Sequence, residues 1–231
     1  MPSSPLCLLF DLDGTLTDSD HLHLQAFNAL LAGHGRSIGK ADYTRHIMGA
    51  DNASICRYLF PDVPLTESLP LADRKEAMFR DKLTGLRPTR GLDALLGWAA
   101  RHDVSCAVVT NAPRVNANMM LDALGLRERL PILVIGPELA HAKPHPLPYL
   151  TGLERLGGRA DRALAFEDSR SGISAAVAAG IPTVGLATSL TEAEILARGA
   201  TLAVADFADA RLLALLEGLL EPGSSEALTR A

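Results

Sequence analysis

Clustered basic residues, long apolar runs, closely spaced cysteines and aromatic side chains are all scarce in this chain of 231 residues. Lysine and arginine nowhere form a block, and the formal net charge is −5. Gripping a phosphate backbone takes clustered cations, so nucleic acid is not an expected partner. No apolar run approaches the roughly 18 residues of a membrane helix, so no membrane association is expected either. The opening "MPSSPLCLLF" lacks a positive leading segment, and its apolar stretch is too short for a secretory signal. Cys7, Cys56 and Cys106 lie far apart without CxxC spacing, and Cys7 and Cys106 sit in apolar runs, where a reduced thiol behaves as a small hydrophobe. The expected setting is therefore reducing and cytoplasmic, where the "NAS" sequon at Asn52 carries no meaning. With aromatics at 4%, the core must be built from Leu, Ala, Val and Ile.

What is present is ordinary for a globular chain: 48% hydrophobic and 21% charged residues. The length suits one large domain, or a domain with a smaller insert. Short apolar runs predict strands at 6–11, 104–110, 131–135, 163–168, 182–187 and 201–206. These runs are unbroken rather than alternating, as in strands covered on both faces. Helical patterns separate them. "RVNANMMLDALG" ends at Gly125, and "SGISAAVAAG" ends at Gly180, a left-handed cap. "TEAEILARG" opens with a capping box, Thr191 and Glu194. Strand alternating with helix implies parallel units in a doubly wound α/β sheet.

Residues 19–84 break that rhythm. "DHLHLQAFNALLAGHG", "KADYTRHIMG", "ASICRYLF" and "SLPLADRKEAMFRDKLTG" are helix-like and hold no good strand. They are expected to form an all-helical insert, leaving 1–18 and 85–231 as the α/β core. "TGLRPTRG" (84–91) reads as the return linker, and "EPGSSEALTRA" as a frayed polar tail.

Ligands of an open parallel sheet bind beyond the carboxyl ends of its strands. The first strand ends in Asp11 and Asp13, the second in Thr110 and Asn111, and the fourth in Glu167 and Asp168. "HAKPHP" adds Lys143 in a loop stiffened by Pro144 and Pro146. Alternation along an extended chain lets Asp11 and Asp13 point the same way while Leu12 turns back. Neighbouring carboxylates raise each other's proton affinity unless a cation intervenes, and a hard divalent ion fits oxygen ligands such as these. Asp168 is the natural third ligand, and Gly14 permits close approach of the backbone.

Other readings weigh against these. A calcium loop starting at Asp11 or Asp18 would need glycine at its sixth position, where Leu16 or His23 stands. Thr110 and Asn111 could be no more than a turn before Pro113. His141 and His145 are four apart, but Pro144 disrupts the helix that would bring them together at a zinc ion. The glycines of "GHGRSIG" follow a helix and do not make a dinucleotide fingerprint, and no GxSxG elbow is present.

"DLDGTLTDS", "VVTN", "KPHP" and "FEDSRSGISAAVAAG" resemble the four motifs of the haloacid dehalogenase (HAD) superfamily, in the expected order and across nearly the whole chain. The insert resembles the helical cap of the subgroup that contains phosphoglycolate phosphatases, sugar-phosphate phosphatases and β-phosphoglucomutase. The resemblance implies a Rossmann-like core with an inserted helical cap and a fixed set of roles. Asp11 attacks phosphorus and forms an aspartyl-phosphate. Asp13 protonates the leaving oxygen and then takes a proton from water. Mg²⁺ is held by Asp11, the Asp13 backbone carbonyl and Asp168, with Glu167 one water away. Thr110 and the Asn111 backbone N–H hold phosphoryl oxygens, and Lys143 neutralises charge.

The expected activity is therefore Mg²⁺-dependent hydrolysis of a small phosphorylated metabolite, of the phosphoglycolate or sugar-phosphate class. A phosphosugar mutase is the alternative, but the mutase relative carries basic residues in a cap loop where this chain reads "HIMGADNAS", with no Lys or Arg from Met48 to Ser54. A dehalogenase is disfavoured by the presence of Asp13. A non-catalytic binding module is disfavoured because every motif residue is intact. The cap candidates for the leaving group are His23, Met48, Gly49, Asn52 and Lys75. His23 reads equally as an ordinary histidine, and Lys75 equally as part of a solvated helix face. Hinges are expected near Thr15–Asp18 and Thr84–Arg90.

Overall fold

The computed structural model describes residues 6–220. The opening five residues and the polar stretch from 221 to 231 lie outside the described residues. Six parallel strands form one sheet in the order β3-β2-β1-β4-β5-β6: β1 (Cys7–Phe10), β2 (Ser105–Thr110), β3 (Ile132–Ile135), β4 (Ala163–Glu167), β5 (Thr183–Leu186) and β6 (Leu202–Val204). Each strand predicted from an apolar run is present, trimmed at its ends. Two of the runs open on Pro131 and Pro182, which have no N–H to give a ladder, and the strands begin one residue later.

Five helices lie between β1 and β2, and the first four make up the insert: α1 (Asp20–Ala32), α2 (Lys40–His46), α3 (Asn52–Leu59) and α4 (Leu65–Arg80). No strand interrupts them. The core helices that follow are α5 (Leu92–Arg101), α6 (Arg114–Ala123), α7 (Leu147–Leu156), α8 (Arg170–Ala178), α9 (Glu192–Leu196) and α10 (Ala210–Leu220). Helices α5, α7 and α10 go beyond those that the sequence pattern singles out. Helix α8 starts at Ser169, whose hydroxyl accepts from the Gly172 N–H, and Gly180 beyond its end has φ +73°. The Thr191–Glu194 capping box forms as expected. No helix among the described residues is long and apolar enough to cross a membrane.

Leu8, Phe10, Val108, Phe166 and Val184 put one face of the sheet into a large apolar cluster with α5, α6 and α10. Cys7, Leu9, Val109 and Ala165 face α7 and α8. Phe10 and Phe166 stack at 4.8 Å directly behind the strand ends. The insert packs Phe27, Leu31, Tyr43, Ile55 and Leu59 against one another and against Ile173 and Ile195 of the core. The two connections to the insert run side by side. The Thr89 hydroxyl donates to the Thr15 carbonyl (2.7 Å), and the Thr17 hydroxyl to the Arg87 carbonyl (2.8 Å).

Burial raises all three thiols above the ordinary cysteine range, and Cys106 is pushed up to about 12. The thiolate is the nucleophile, so at pH 8 only roughly one Cys106 in ten thousand is reactive. Native protein is therefore expected to resist iodoacetamide at that pH and to take up three equivalents only after denaturation, as read by intact mass.

Candidate active site

The register places Phe10 of β1 between Val108 of β2 and Phe166 of β4. One residue further along, Asp11, Val109 and Glu167 come level across three neighbouring strands. The Lys143 ammonium sits over all three, donating to Asp11 Oδ1 (2.7 Å), the Val109 carbonyl (2.7 Å) and Glu167 Oε1 (2.5 Å). An ammonium has three protons, so Lys143 has no donor left over. Lys143 is 2% exposed. Burial alone would lower its proton affinity, but the Asp11 and Glu167 carboxylates outweigh that and hold it above the usual lysine value. The Asn111 side chain fixes the lysine's own backbone, donating to the Lys143 carbonyl (3.2 Å) and accepting from its N–H (3.2 Å).

Glu167 is fully buried and its oxygens are all committed. Oε1 also accepts from the Tyr149 hydroxyl (2.8 Å), and Oε2 accepts from the Ser169 hydroxyl (3.0 Å) and from the Asp168 (3.2 Å) and Ser169 (3.3 Å) N–H groups. Sequence reasoning missed Tyr149, which sits on a helix its pattern did not single out. A Cβ on Gly172 would overlap this carboxylate, so only glycine fits in the first turn of α8.

Asp168 is different. Its Oδ1 accepts from the Thr15 hydroxyl (3.1 Å), but its Oδ2 is buried without any hydrogen-bond partner. Gly14, at φ +74°, leaves that oxygen room that a Cβ would fill. Oxygens of Asp11, Glu167 and Asp168 lie within 4.8 Å of one another. Burial first, and then the neighbouring carboxylates, push both Asp11 and Asp168 well above the usual carboxylate range, against the pull of Lys143 on Asp11. Three acids against one lysine leave excess negative charge in a desolvated place. An orphaned buried oxygen among hard oxygen donors fits a divalent cation such as Mg²⁺.

Asp13 faces the other way, toward the helical insert. Its Oδ1 accepts from the Ser19 hydroxyl (2.6 Å) and pairs with His23 Nε2 (3.0 Å). His23 Nδ1 meets the Lys75 ammonium at 2.8 Å. A charged lysine can only donate, so the remaining ring proton of neutral His23 sits on Nε2 and points at Asp13. Burial would raise Asp13, but the His23 pairing and the Ser19 hydrogen bond outweigh it and hold the carboxyl below its ordinary value. His23 stacks on Phe79 at 3.7 Å. Lys75 is not on a solvated face: it is 2% exposed and bonds Glu76 Oε1 at 3.1 Å. Glu76 in turn accepts from Asn116 of α6 (2.6 Å), which accepts from Arg80 (2.8 Å). Glu76 and Asn116 carried no signal in the sequence, because only docking of the insert brings them together, and sequence reasoning also missed Ser19 as a partner of Asp13.

Thr110, Asn111, Met48, Gly49 and Asn52 line the same cavity as Asp11, Asp13, His23, Lys75 and Lys143. The Thr110 hydroxyl accepts from the Ala112 N–H (3.0 Å). Gly49 also docks the insert: its carbonyl accepts from the Asn111 amide (3.0 Å) and the Ser171 hydroxyl (2.6 Å). His141 and His145 do come together, with ring centroids 4.4 Å apart, because a turn closed by the His145 N–H on the Ala142 carbonyl replaces the helix that Pro144 forbids. They find no third metal-ligating side chain among the described residues.

The arrangement is that of an α/β enzyme whose strand-end acids work beneath a helical insert, beside the strand-order switch at β1 and β4. The chain belongs to the family of haloacid dehalogenase-like hydrolases, whose model matches residues 8–186. It is 34% identical over 190 residues to a phosphoglycolate phosphatase of Xylella fastidiosa, covering 79% of this chain and 82% of that protein. It is 28% identical over 203 residues to a phosphorylated carbohydrates phosphatase of Thermotoga maritima, covering 85% and 92%. Among solved structures, CbbY from Rhodobacter sphaeroides in complex with xylulose-(1,5)bisphosphate superposes with a TM-score of 0.75 at 26% identity, over 89% of this chain and 96% of that one.

Gly172→Ala is expected to destabilise the fold by about 3 kcal/mol, because a buried carboxylate must move to admit the methyl group. Denaturant unfolding reads this directly, and the same variant should lose activity through displaced Glu167 and Lys143.

Proposed function

We propose that this chain hydrolyses a small phosphomonoester at Asp11, with residues 19–84 as a cap domain over a catalytic core formed by 1–18 and 85–231. One observation carries the reading: two acids two residues apart are given opposite surroundings. Asp11 is set against a lysine and two further acids, and Asp13 against a hydroxyl and an imidazole. Such separation of environments is how a pair of carboxylates takes two roles. In the first step an Asp11 oxygen attacks phosphorus, the ester P–O bond breaks, and the departing oxygen takes a proton from Asp13. In the second, Asp13 takes a proton from water as that water attacks phosphorus, the Asp11–phosphorus bond breaks and phosphate leaves. A phosphate dianion beside Asp13 raises its proton affinity and favours the acid form needed first.

Lys143 acts on this site through its charge, since its protons are all engaged. Thr110 and the Asn111 backbone N–H receive phosphoryl oxygens. Asp11, Asp168 and the Asp13 backbone carbonyl would hold Mg²⁺, with the saturated Glu167 behind them; the ion supplies charge neutralisation for the phosphoryl group. The names of the relatives, phosphatases of phosphoglycolate and of phosphorylated carbohydrates, support the reaction class. Hydrolysis is favoured over phosphosugar transfer because the loop from Met48 to Ser54 offers no cation for a second phosphate.

With Mg²⁺ present, phosphate release is expected from a panel of phosphate esters and from acetyl phosphate, and chelation should abolish it. Asp11→Asn should leave no measurable turnover, and Asp13→Asn should lower kcat by roughly 10²- to 10⁴-fold. The acyl leaving group of acetyl phosphate needs little help from an acid, so Asp13→Asn should cost less on that substrate. No release from any panel member by folded protein would overturn the proposal.

A further inference from the structure

We infer that the leaving group is a short, uncharged alcohol, and that the site selects against a second anionic group such as the carboxylate of phosphoglycolate. The inference rests on the phosphatase reading above and narrows it. The cavity between the strand ends and the insert measures about 60 Å³, room for a handful of waters, so the substrate is small. Two lysines reach this cavity, and neither has a proton to spare. Lys143 is spent on Asp11, Glu167 and Val109. Lys75 gives one proton to His23 Nδ1 and one to Glu76, and its third side lies against the Phe27 ring, 4.2 Å from the centroid.

The remaining charges on the insert side are acidic. Asp13, Asp20 and Glu76 all line the cavity. Asp20 is held by the Tyr43 (2.8 Å) and Ser189 (2.7 Å) hydroxyls, and Glu76 by Lys75 and Asn116. A substrate carboxylate placed here would be desolvated among carboxylates without a cation of its own, which costs far more than placing a hydroxyl. Phe27, Ile47, Met48 and Ile55 supply an apolar wall that suits carbon. Asn52 lines the cavity, and no hydrogen bond ties up its side-chain amide. That amide can both donate to and accept from a neutral hydroxyl, whereas toward a carboxylate only its N–H groups are useful.

A matched pair of substrates separates these cases. 2-Hydroxyethyl phosphate and 2-phosphoglycolate differ only in carrying a hydroxymethyl or a carboxylate group beyond the same CH₂. The expected kcat/KM is about 100-fold higher for the hydroxyethyl ester. Asn52→Ala should shrink that ratio by lowering the hydroxyethyl value. Glu76→Ala should shrink it from the other side, because it removes the acceptor of one Lys75 proton and so frees that proton for the carboxylate. Each variant is read as a ratio, which partial unfolding does not change. Acetyl phosphate reports the phosphatase reading separately. Equal or better turnover of 2-phosphoglycolate, turnover of acetyl phosphate alone, or a ratio unmoved by both substitutions would overturn this inference while leaving the phosphatase reading standing. No turnover of any of the three would overturn both.

Discussion

The Lys143 ammonium is the constraint on which the site depends. Three adjacent strands end level with one another, and two of them end in acids. Without a cation above them, Asp11 and Glu167 would be buried like charges, a cost of several kcal/mol per ion. One lysine, brought from the loop after β3 and pinned through its backbone by Asn111, bridges both acids and the Val109 carbonyl. Its own burial is tolerable only because those partners surround it. Much of the local sequence answers to this cluster: Tyr149 and Ser169 saturate Glu167, and Gly172 makes room for it. What the lysine does not balance is Asp168, whose unpartnered oxygen carries the remaining excess charge. That residue of charge is the physical case for a divalent ion, independent of any likeness to other proteins.

The helical insert is more than a cover. It is docked through the Gly49 carbonyl on Asn111 and Ser171, the Thr44 carbonyl on Arg170, Glu76 on Asn116, and Asp20 on Ser189. These polar contacts run along a seam that also holds apolar packing of the insert against Ile173, Leu190, Ile195, Ala200 and Ala203, and of Ala26 and Phe79 within the large core cluster. The two connections to the insert are tied to each other by the Thr89–Thr15 and Thr17–Arg87 hydrogen bonds, so the insert leaves and rejoins the core at one place. Asn111 belongs to both sides of this bargain: one amide proton holds the Lys143 loop and the other holds the insert.

The strands and their terminal acids were legible in the sequence because both follow from local pattern. A strand buried on two faces is an unbroken apolar run, and a charge at its end stands out against that run. Asp11, Thr110, Glu167 and Asp168 are found this way, and they converge because a parallel sheet brings its carboxyl ends to one edge; Lys143, in a loop, is singled out by its place in "KPHP". The partners of Asp13 follow a different rule. Ser19 and His23 lie just beyond the strand, but Lys75, Glu76 and Asn116 meet only when α4 packs between α1 and α6, and no periodicity records that meeting. Lys75 is the instructive case, since its charge suggests solvent while its neighbours Phe27 and Phe79 and its acid partner bury it. His141 and His145 fail in the opposite sense: the sequence forbids the helix but cannot show the turn that unites them.

A single strand end gives its two acids different surroundings. Leu12 is fully buried at the bend just beyond the strand, between Asp11 and Asp13. The nearer acid falls within reach of the core lysine, and the farther one passes beyond it to meet the insert. Most of what surrounds Asp11 belongs to the rigid sheet and its loops, so its environment is fixed before a substrate arrives. His23 and Lys75, by contrast, stand on α1 and α4 of the insert, so the surroundings of Asp13 depend on how those helices dock. The imidazole that holds Asp13 below its ordinary value is thus supplied by the insert. Docking of the insert and the proton affinity of the second acid are therefore linked, whereas the surroundings of Asp11 are set by the sheet and its loops.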